Sequence, residues 1–411
     1  MLRKTDEVKV MRDPIHGYIH VEYQILWDCI NAREFQRLRR IHQLGGDFQV
    51  YHTAEHTRFS HSLGVYEIVR RMVEEVDGLK NDLNEHEKVT VMLAGLLHDV
   101  GHGPFSHAFE AISGFSHEVY TKRILLEDSE IHRILCRADE QLPYAVASII
   151  SYEHPNELLN QIVSGQLDAD RMDYLLRDAY ATGTSYGEFD LERILRTIRI
   201  RDHQILVKES GIHSVQDYLM ARYHMYWQVY LHPVARSFEG MLVQLFKRLR
   251  DLYPSDTIAM APMFFPFLKE GEASIEEHFA LDEAAAFYGF AQLMHSEDRL
   301  VCDLARRLLN RDLFEYVNIE DPQKIQQIRE NIEKAGYDSR YYMFTDTVKQ
   351  KAFSPYTIGD KKHNIWVLCE DRQIREITQV SDIVKAIAEV KGKVQTKVYY
   401  PAEITQAEVC G

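Results

Sequence analysis

Four residues of this 411-residue chain have side chains that commonly ligate divalent metal ions, and they lie in or beside apolar segments. His61 lies in RFSHSLGV, the adjacent His98 and Asp99 lie in VMLAGLLHDVG, and Asp170 lies in LDADRMDYLLRD. Imidazole and carboxylate groups suit a borderline-hard divalent ion. An ionised aspartate in apolar surroundings loses several kcal/mol of solvation, and a metal ion would supply the missing charge. We therefore predict that these four residues bind one metal ion.

Three more histidines, His102, His107 and His117, follow the pair within nineteen residues. Several titratable imidazoles beside a metal ion indicate acid–base chemistry. The simpler interpretation of any one histidine on an apolar helix is a hydrogen-bonded core residue. The clustering of so many of them favours a site.

The element that must position His98 and Asp99 is a helix that ends at the pair. Neighbouring residues on a helix point about 100° apart, so both can reach one ion most easily at a helix end. The following residues, VGHGP, supply that end, because glycine stops a helix and proline cannot continue it. The pair is predicted to open into a loop.

The whole chain is predicted to be mainly α. Apolar residues at three- and four-residue spacing indicate helices through most of the first 250 residues and again over 271–335. A hairpin is expected near Ile198 to Lys208, and IWVL and TKVYY are strand-like on either side of an amphipathic helix, DIVKAIAEVKGK. We divide the chain into a helical core (1–265), a helical extension (266–335) and a small C-terminal α+β lobe (336–411).

Composition narrows the class of protein. A hydrophobic content of 45% and a charged content of 27% are ordinary for a soluble globular chain. The net charge of −15 argues against general nucleic-acid binding, although REFQRLRR (33–40) is a local basic patch. The five cysteines are widely spaced and form no CxxC pair, the start lacks a signal peptide, and no apolar run could span a membrane. A reduced, cytoplasmic protein is expected.

Five motifs in order carry a family resemblance: DPIHGYI, FQRLRRIHQLGG, RFSHSLGV, AGLLHDVGHGPFSH and DADRMDYLLRDAYATG. The pattern H…HD…D resembles the HD-domain phosphohydrolases. The five motifs together resemble the deoxynucleoside triphosphate triphosphohydrolases, the group that contains bacterial dGTPases and the SAM- and HD-domain dNTPases. The resemblance covers roughly residues 8–240, and it implies a helical HD-domain core.

The resemblance implies hydrolysis of a dNTP to a deoxynucleoside and triphosphate. One divalent ion (Mg, Mn, Fe, Co or Ni) would be held by His61, His98, Asp99 and Asp170 and would polarise the α-phosphate. The leaving 5′ oxygen needs a proton. His107 is the expected donor, with His102 and His117 orienting it or the attacking water.

The resemblance also implies a set of substrate contacts. The triphosphate would be bound by Arg58, Arg171 and Arg222, although many family members have Lys at the position of Arg171. The sugar would contact Gln43, Leu44, Tyr174, Asp178 and Tyr230. Leu44 and Tyr230 would fill the space that a ribose 2′-hydroxyl needs. Seen singly, each arginine would more simply form an ion pair with one of the abundant Asp or Glu residues, and Tyr230 would more simply be a core residue.

Relatives in this family form tetramers, and some bind an activating nucleotide between subunits. The matching positions here are Lys9, Asn31, Gln36 and Arg39. Asn31 replaces an Asp that reads guanine in some relatives, and Pro233 stands where certain relatives have a nucleotide-contacting Lys. A homotetramer with an activating nucleotide is the expectation, and its base preference is open.

Two alternatives remain open from the sequence. An HD phosphodiesterase or nucleotidase would use the same metal ligands without needing the three arginines together. A non-catalytic HD scaffold would sense nucleotides or bind single-stranded nucleic acid, although the intact ligands and histidines argue against it. Neither the native metal nor the role of the C-terminal lobe follows from the sequence.

Overall fold

Helices dominate the computed structural model, which describes residues 2–269, 271, 273–319, 321–349, 364–389 and 394–404. The helices of the first 200 residues are α1 (Gln24–Asn31), α2 (Arg33–Arg37), α3 (Arg58–Glu75), α4 (Leu79–Asp82), α5 (Glu85–Leu97), α6 (His107–Ser113), α7 (His117–Leu126), α8 (Glu130–Ala138), α9 (Leu142–Ile150), α10 (Glu157–Ser164), α11 (Ala169–Thr182) and α12 (Leu191–Thr197).

The later helices are α13 (Ile212–Met225), α14 (Pro233–Leu252), α15 (Ile275–Ala280), α16 (Glu283–Leu293), α17 (Arg299–Asn310), α18 (Pro322–Lys334), α19 (Ser339–Tyr342) and α20 (Asp382–Glu389). One π-helical turn, Tyr226–Tyr230, extends α13. The prediction of a mainly α protein is confirmed.

Short strands form three small sheets. They are β1 (Lys4–Asp13), β2 (Gly17–Tyr23), β3 (Ile198–Arg201), β4 (Gln204–Lys208), β5 (Glu315–Asn318), β6 (Phe344–Lys349), β7 (Trp366–Leu368), β8 (Ile374–Glu376) and β9 (Val394–Tyr400). Strands β1 and β2 form an antiparallel ribbon, and the other sheets have the orders β3-β4-β7-β8 and β5-β9-β6. The antiparallel β3–β4 pair confirms the predicted hairpin.

The C-terminal helix and strands occur as predicted, but their pairing extends into earlier parts of the chain. Strand β7 pairs in parallel with β4, with Leu206 opposite Trp366, and β9 pairs with β5 as well as with β6. Isolated strands of three to seven residues bury too little surface to be stable alone. The segment boundaries at residues 265 and 335 stay a prediction. Residues 350–363, 390–393 and 405–411 of the predicted C-terminal lobe lie outside the described residues.

Two large apolar clusters surround the region where the predicted ligands meet. Helices α5 and α11 both pack against α3 within the first cluster, and α14, α16 and α17 form most of the second. Helix α5 begins with a capping box in which Asn84 and Glu87 bond reciprocally, and it is buried from Val89 to Leu97. It ends with His98 as its C-cap residue, as the sequence predicted.

No described helix combines the length and the apolar character needed to cross a bilayer. The four described cysteines, Cys29, Cys136, Cys302 and Cys369, have free thiols. Cys410 lies outside the described residues.

Candidate active site

The four predicted metal ligands lie together. Ligand atoms of His61, His98 and Asp170 all lie within 4.8 Å of one another. Asp99 joins them, with its carboxylate oxygens 3.8 Å from Nε2 of His61 and 3.4 Å from Nε2 of His98. They come from the first turn of α3, the end of α5 and the first turn of α11.

The donor set fits a divalent cation. Nε2 of His98 is buried, and it has no hydrogen-bond partner among the described residues. Its Nδ1 contacts the carbonyl oxygen of Gly95 at 2.9 Å, an arrangement that leaves Nε2 as the free lone pair. Two imidazoles and two carboxylates are a set that Mn, Fe, Co, Ni or Mg can use.

A buried network orients His61. Nδ1 of His61 lies 2.8 Å from Oδ2 of Asp173, and Asp173 is also bound by His16 at 2.6 Å and by Arg177 at 2.8 Å. Arg177 donates in turn to Asp13 at 2.9 Å. Outer partners of this kind fix the tautomer and angle of a ligating imidazole. This network explains the motif DPIHGYI, whose role the sequence did not reveal.

Gly64 makes room for that network. A Cβ atom at this position would overlap Oδ1 of Asp173 and the guanidinium of Arg177. The glycine in RFSHSLGV is therefore required by close packing of α3 against α11 rather than by an unusual backbone angle.

Arg58 and Ser106 shape the loop that follows the ligand pair. The Arg58 guanidinium donates to Asp99 and to the hydroxyl of Ser106. Although burial opposes it, this positive charge and the neighbouring imidazoles hold the pKa of Asp99 well below its usual range. Phe105 and Ser106 have φ values of 60° and 52°, which L residues seldom adopt, and they are the two residues that lead into His107.

Glu283 of α16 fastens the same loop from outside. It accepts hydrogen bonds from the backbone N–H groups of His42 and Phe105, both at 3.0 Å, and its second oxygen contacts the His42 imidazole. Burial lowers the pKa of His42, but the hydrogen bonds with Glu283 and Glu55 dominate and raise it to about 9.

The ion pair between His42 and Glu283 should make the stability of the folded protein depend on pH. Because the folded-state pKa of His42 lies above its ordinary value of 6.5, the stabilisation is complete below about pH 6.5 and is lost as pH rises through about 9. The loss should be roughly 3 kcal/mol at most. Urea unfolding between pH 6 and 10 measures it. The same decline in His42→Gln would show that other groups cause it.

The three additional histidines form one cluster beside the metal ligands. The rings of His102 and His117 stack with centroids 3.7 Å apart, and the ring of His107 lies 6.1 Å from that of His117. Burial, reinforced by the charge of Arg58, holds the pKa of His102 well below its usual range. His102 is therefore a neutral hydrogen-bonding group, whereas the side chain of His107 is 73% exposed and open to a substrate.

Glu110 is a residue of this cluster that the sequence analysis missed. Its carboxylate contacts Nδ1 of both His107, at 3.3 Å, and His117. Although burial opposes it, these two contacts lower the pKa of Glu110 below its usual range. Its spacing of three residues from His107, which places both side chains on one face of α6, was the available signal.

One cavity of about 580 Å³ is lined by the predicted ligands Asp99 and Asp170, by the three histidines of the cluster and by all five predicted sugar contacts. Gln43, Leu44, Tyr174, Asp178 and Tyr230 all line it. The hydroxyl of Tyr230 donates to Asp178 at 2.9 Å, and the Tyr174 and Tyr230 rings pack edge to face with centroids 6.0 Å apart. The π-helical turn places Tyr230 here, a common use of such turns at functional sites.

The three arginines predicted to contact the triphosphate do not all line this cavity. Arg58 lines the cavity. The side chain of Arg171 binds Asp168 and the carbonyl of Gly165, and Arg222 donates to Gln166 at 3.0 Å. Both arginines are thus bound by the loop 165–168, and their predicted contact with phosphate stays a prediction.

The predicted regulatory residues lie on β1, α1, α2 and the 3-10 turn Leu38–Arg40 that follows α2. Nε of Arg39 donates to Gln36 at 2.9 Å, whereas the amide of Asn31 bonds within its own helix and Lys9 pairs with Glu7. The structure does not show these four residues as one pocket within a single chain.

The basic patch 33–40 is largely neutralised within the chain. Arg33 pairs with Glu276, and Arg40 pairs with Asp282. Arg37 is buried and donates to the carbonyl oxygens of His102, His278 and Leu281. The concentration of arginine is therefore weaker support for a triphosphate site than the sequence indicated.

The fold and the site define a helical protein in which histidines and aspartates that could hold a metal ion converge at helix ends. The family model described as HD domain matches residues 58–178, and that described as HD associated region matches residues 189–263. The Bacillus subtilis protein YwfO is 43% identical over 98% of this chain and 94% of its own length. The chain belongs to the HD-domain phosphohydrolase family.

Two further relatives extend the comparison. The bovine deoxynucleoside triphosphate triphosphohydrolase SAMHD1 is 29% identical over 80% of this chain and 62% of its own length. A crystal structure of a phosphohydrolase from Bacteroides thetaiotaomicron superposes with a TM-score of 0.82 at 28% identity, covering 96% of this chain and all of the other.

Proposed function

We propose that the protein is a metal-dependent dNTP triphosphohydrolase, which converts a dNTP and water to a deoxynucleoside and triphosphate. The observation that carries the proposal is the single cavity shared by the metal-ligand end, the histidine cluster and the sugar-facing residues. The similarity to the bovine enzyme supports the choice of substrate.

The proposed roles follow from the positions in that cavity. His61, His98, Asp99 and Asp170 would hold the divalent ion, which would supply positive charge beside the phosphate and favour ionisation of a water molecule. Water attacks Pα and gives up a proton to solvent, the bond from Pα to O5′ breaks, and O5′ takes a proton from His107. Glu110 fixes the His107 ring through Nδ1, and His102 and His117 complete the polar wall beside it.

The direct test is to incubate the purified protein with each dNTP and Mg²⁺ or Mn²⁺ and to identify the products. Deoxynucleoside with intact triphosphate is the expected result. Inorganic phosphate as the first product would support a nucleotidase instead. Binding of a nucleotide without any product would indicate a sensor.

Sugar discrimination gives a further prediction. Leu44 and Tyr230 line the cavity, and Tyr230 is held in place by Asp178, so a 2′-hydroxyl would lose water without gaining a partner. We expect dGTP to be hydrolysed at least about 100-fold faster than GTP, since burying an unpaired hydroxyl costs about 2–7 kcal/mol and a 100-fold ratio corresponds to about 2.7 kcal/mol. Steady-state kcat/KM values for the two nucleotides measure the ratio. Equal values would contradict the assignment.

The proposal extends to the oligomeric state of the protein and to its activation by a nucleotide. We infer a cytoplasmic homotetramer that is activated by a nucleotide bound by Lys9, Asn31, Gln36 and Arg39, with residues contributed by more than one subunit. Arg39 supports this, because its guanidinium lies 3.5 Å over the Phe59 ring and its charge is not neutralised by a carboxylate among the described residues.

Activation should be visible in the kinetics. Rate against dNTP concentration should be sigmoidal, or one dNTP should accelerate hydrolysis of another, because an activator binds the active state more tightly. Arg39→Ala should abolish this activation while leaving the metal content unchanged. Hyperbolic kinetics for every dNTP would contradict the proposed activation. Sedimentation of the protein as a monomer would contradict the proposed tetramer.

A further inference from the structure

Asp47 is an acidic side chain in the cavity wall that the proposed mechanism does not use. Its side chain is about 95% buried, since the residue is 5% exposed, and it lines the same cavity as Gln43 and Leu44. Its Oδ1 atom has no hydrogen-bond partner among the described residues. Burying a carboxyl oxygen without a hydrogen-bond partner costs free energy. We therefore expect a ligand in the cavity to supply the missing partner of Asp47.

The backbone holds Asp47 firmly in this position. Its carbonyl oxygen accepts hydrogen bonds from the N–H groups of Val50, at 2.9 Å, and Tyr51, at 2.8 Å. The preceding glycines allow this segment to lie directly against α14. A Cβ atom at Gly46 would come within 2.8 Å of the carbonyl oxygen of Ala235, and one at Gly45 would meet the backbone of Phe105.

Charge is unbalanced at this end of the cavity. Arg236 pairs with Glu239 at 2.5 Å and with Asp346 at 3.0 Å, so one guanidinium already serves two carboxylates. Asp47 is a third carboxylate with no cation of its own. Burial, together with the negative Glu239 and Asp178, raises the pKa of Asp47 well above its usual range.

This distribution of charge sets the direction in which a nucleotide can lie. The triphosphate would find no unpaired cation beside Asp47, Glu239 and Asp346, whereas Arg58 and the predicted metal ligands offer it positive charge. With the sugar between Gln43 and Tyr230, the nucleobase would be the part of the substrate that reaches Asp47. N–H donors on that base would favour the ionised form of the Asp47 carboxyl, which accepts hydrogen bonds and donates none.

We propose that Asp47 is a base-selecting residue, which accepts N–H donors from the nucleobase and favours guanine over thymine. This inference rests on the proposed dNTP hydrolysis. Guanine presents adjacent N1–H and N2–H donors that match the two oxygens of a carboxylate. Thymine presents one N3–H between two carbonyl oxygens, which face Asp47 unfavourably.

The test is internal competition between dGTP and dTTP in one reaction, with the two deoxynucleosides separated by chromatography. The ratio of products is independent of the fraction of folded enzyme. Asp47→Asn keeps the shape but replaces one acceptor oxygen by a donor. We expect the preference for dGTP to fall by about 10- to 100-fold, as for loss of a hydrogen bond to a charged group.

Asp202→Asn is the matched control. The Asp202 side chain is 83% exposed, and the same change of aspartate to asparagine there leaves the cavity lining untouched. Its product ratio should equal that of the unaltered protein. An unchanged ratio in Asp47→Asn, or an equal shift in Asp202→Asn, overturns the proposal.

A second measurement separates this proposal from the proposed reaction. Calorimetric titration with deoxyguanosine and with thymidine needs no hydrolysis. Tighter binding of deoxyguanosine that Asp47→Asn removes would support base selection even if no dNTP were cleaved, whereas equal affinities in both proteins would overturn it. Asp47→Asn should not lower the thermal stability, because it removes a buried carboxyl that lacks a partner.

Discussion

His98→Ala and Asp170→Ala are each expected to reduce hydrolysis to background and to release the metal ion. Both residues contribute atoms to the three-residue ligand group, and His98 Nε2 has no other partner among the described residues. Even changes in the outer shell of a metal site cost about 10- to 100-fold in affinity or activity, so loss of a direct ligand should cost more. Metal analysis of the purified variants by mass spectrometry measures the release.

His86→Ala is the matched control for His98→Ala. His86 lies at the opposite end of the same helix, α5, and its side chain is 49% exposed beside Asp139. This variant should keep its metal and its activity. Full metal occupancy with normal turnover in either ligand variant would remove that residue from the site.

His107→Ala is expected to retain metal and nucleotide while the rate falls by roughly 10² to 10⁴, the range for a positioned proton donor. The ring is accessible in the cavity and is held through Nδ1 by Glu110, so Nε2 is available to the leaving oxygen. Single-turnover kinetics separate this loss from weaker binding. A decrease of less than tenfold would assign the proton donor to another residue.

The variant Glu110→Gln tests whether Glu110 assists His107 in the reaction or only stabilises the fold. The amide can still hydrogen-bond to both imidazoles but carries no charge, so it should lower the rate less than His107→Ala does. It should also change the pH profile of kcat, because it removes the carboxyl whose pKa is lowered by its contacts with the two imidazoles. An unaltered profile would limit Glu110 to a role in folding.

The positions of helix ends were the most predictable part of the site. VGHGP fixes where α5 stops, because glycine and proline act locally, and His98 and Asp99 are placed by that stop alone. The position of His61 and Asp170 beside this pair was predicted from their residue types and from the order of the five motifs. The strands near 198–208 followed from local alternation.

The remaining features depend on partners that are distant in sequence. Asp173 is bound by His16, 157 residues away, and Arg37 reaches His278 and Leu281 more than 240 residues later. The ion pair between Arg171 and Asp168 depends on side-chain geometry at the start of α11, which charge and spacing in the sequence do not determine. Asp47 resembles an ordinary loop residue until its burial is known.

The buried side chain of Arg37 has a mechanical consequence. Its guanidinium joins α2 to the backbone at His102 and to the backbone around the end of α15. Pulling α2 away would take from a buried cation its three carbonyl partners, at a cost of several kcal/mol. We therefore expect the three segments to move together, so that a displacement of α2 would also displace the loop that carries His102 and His107.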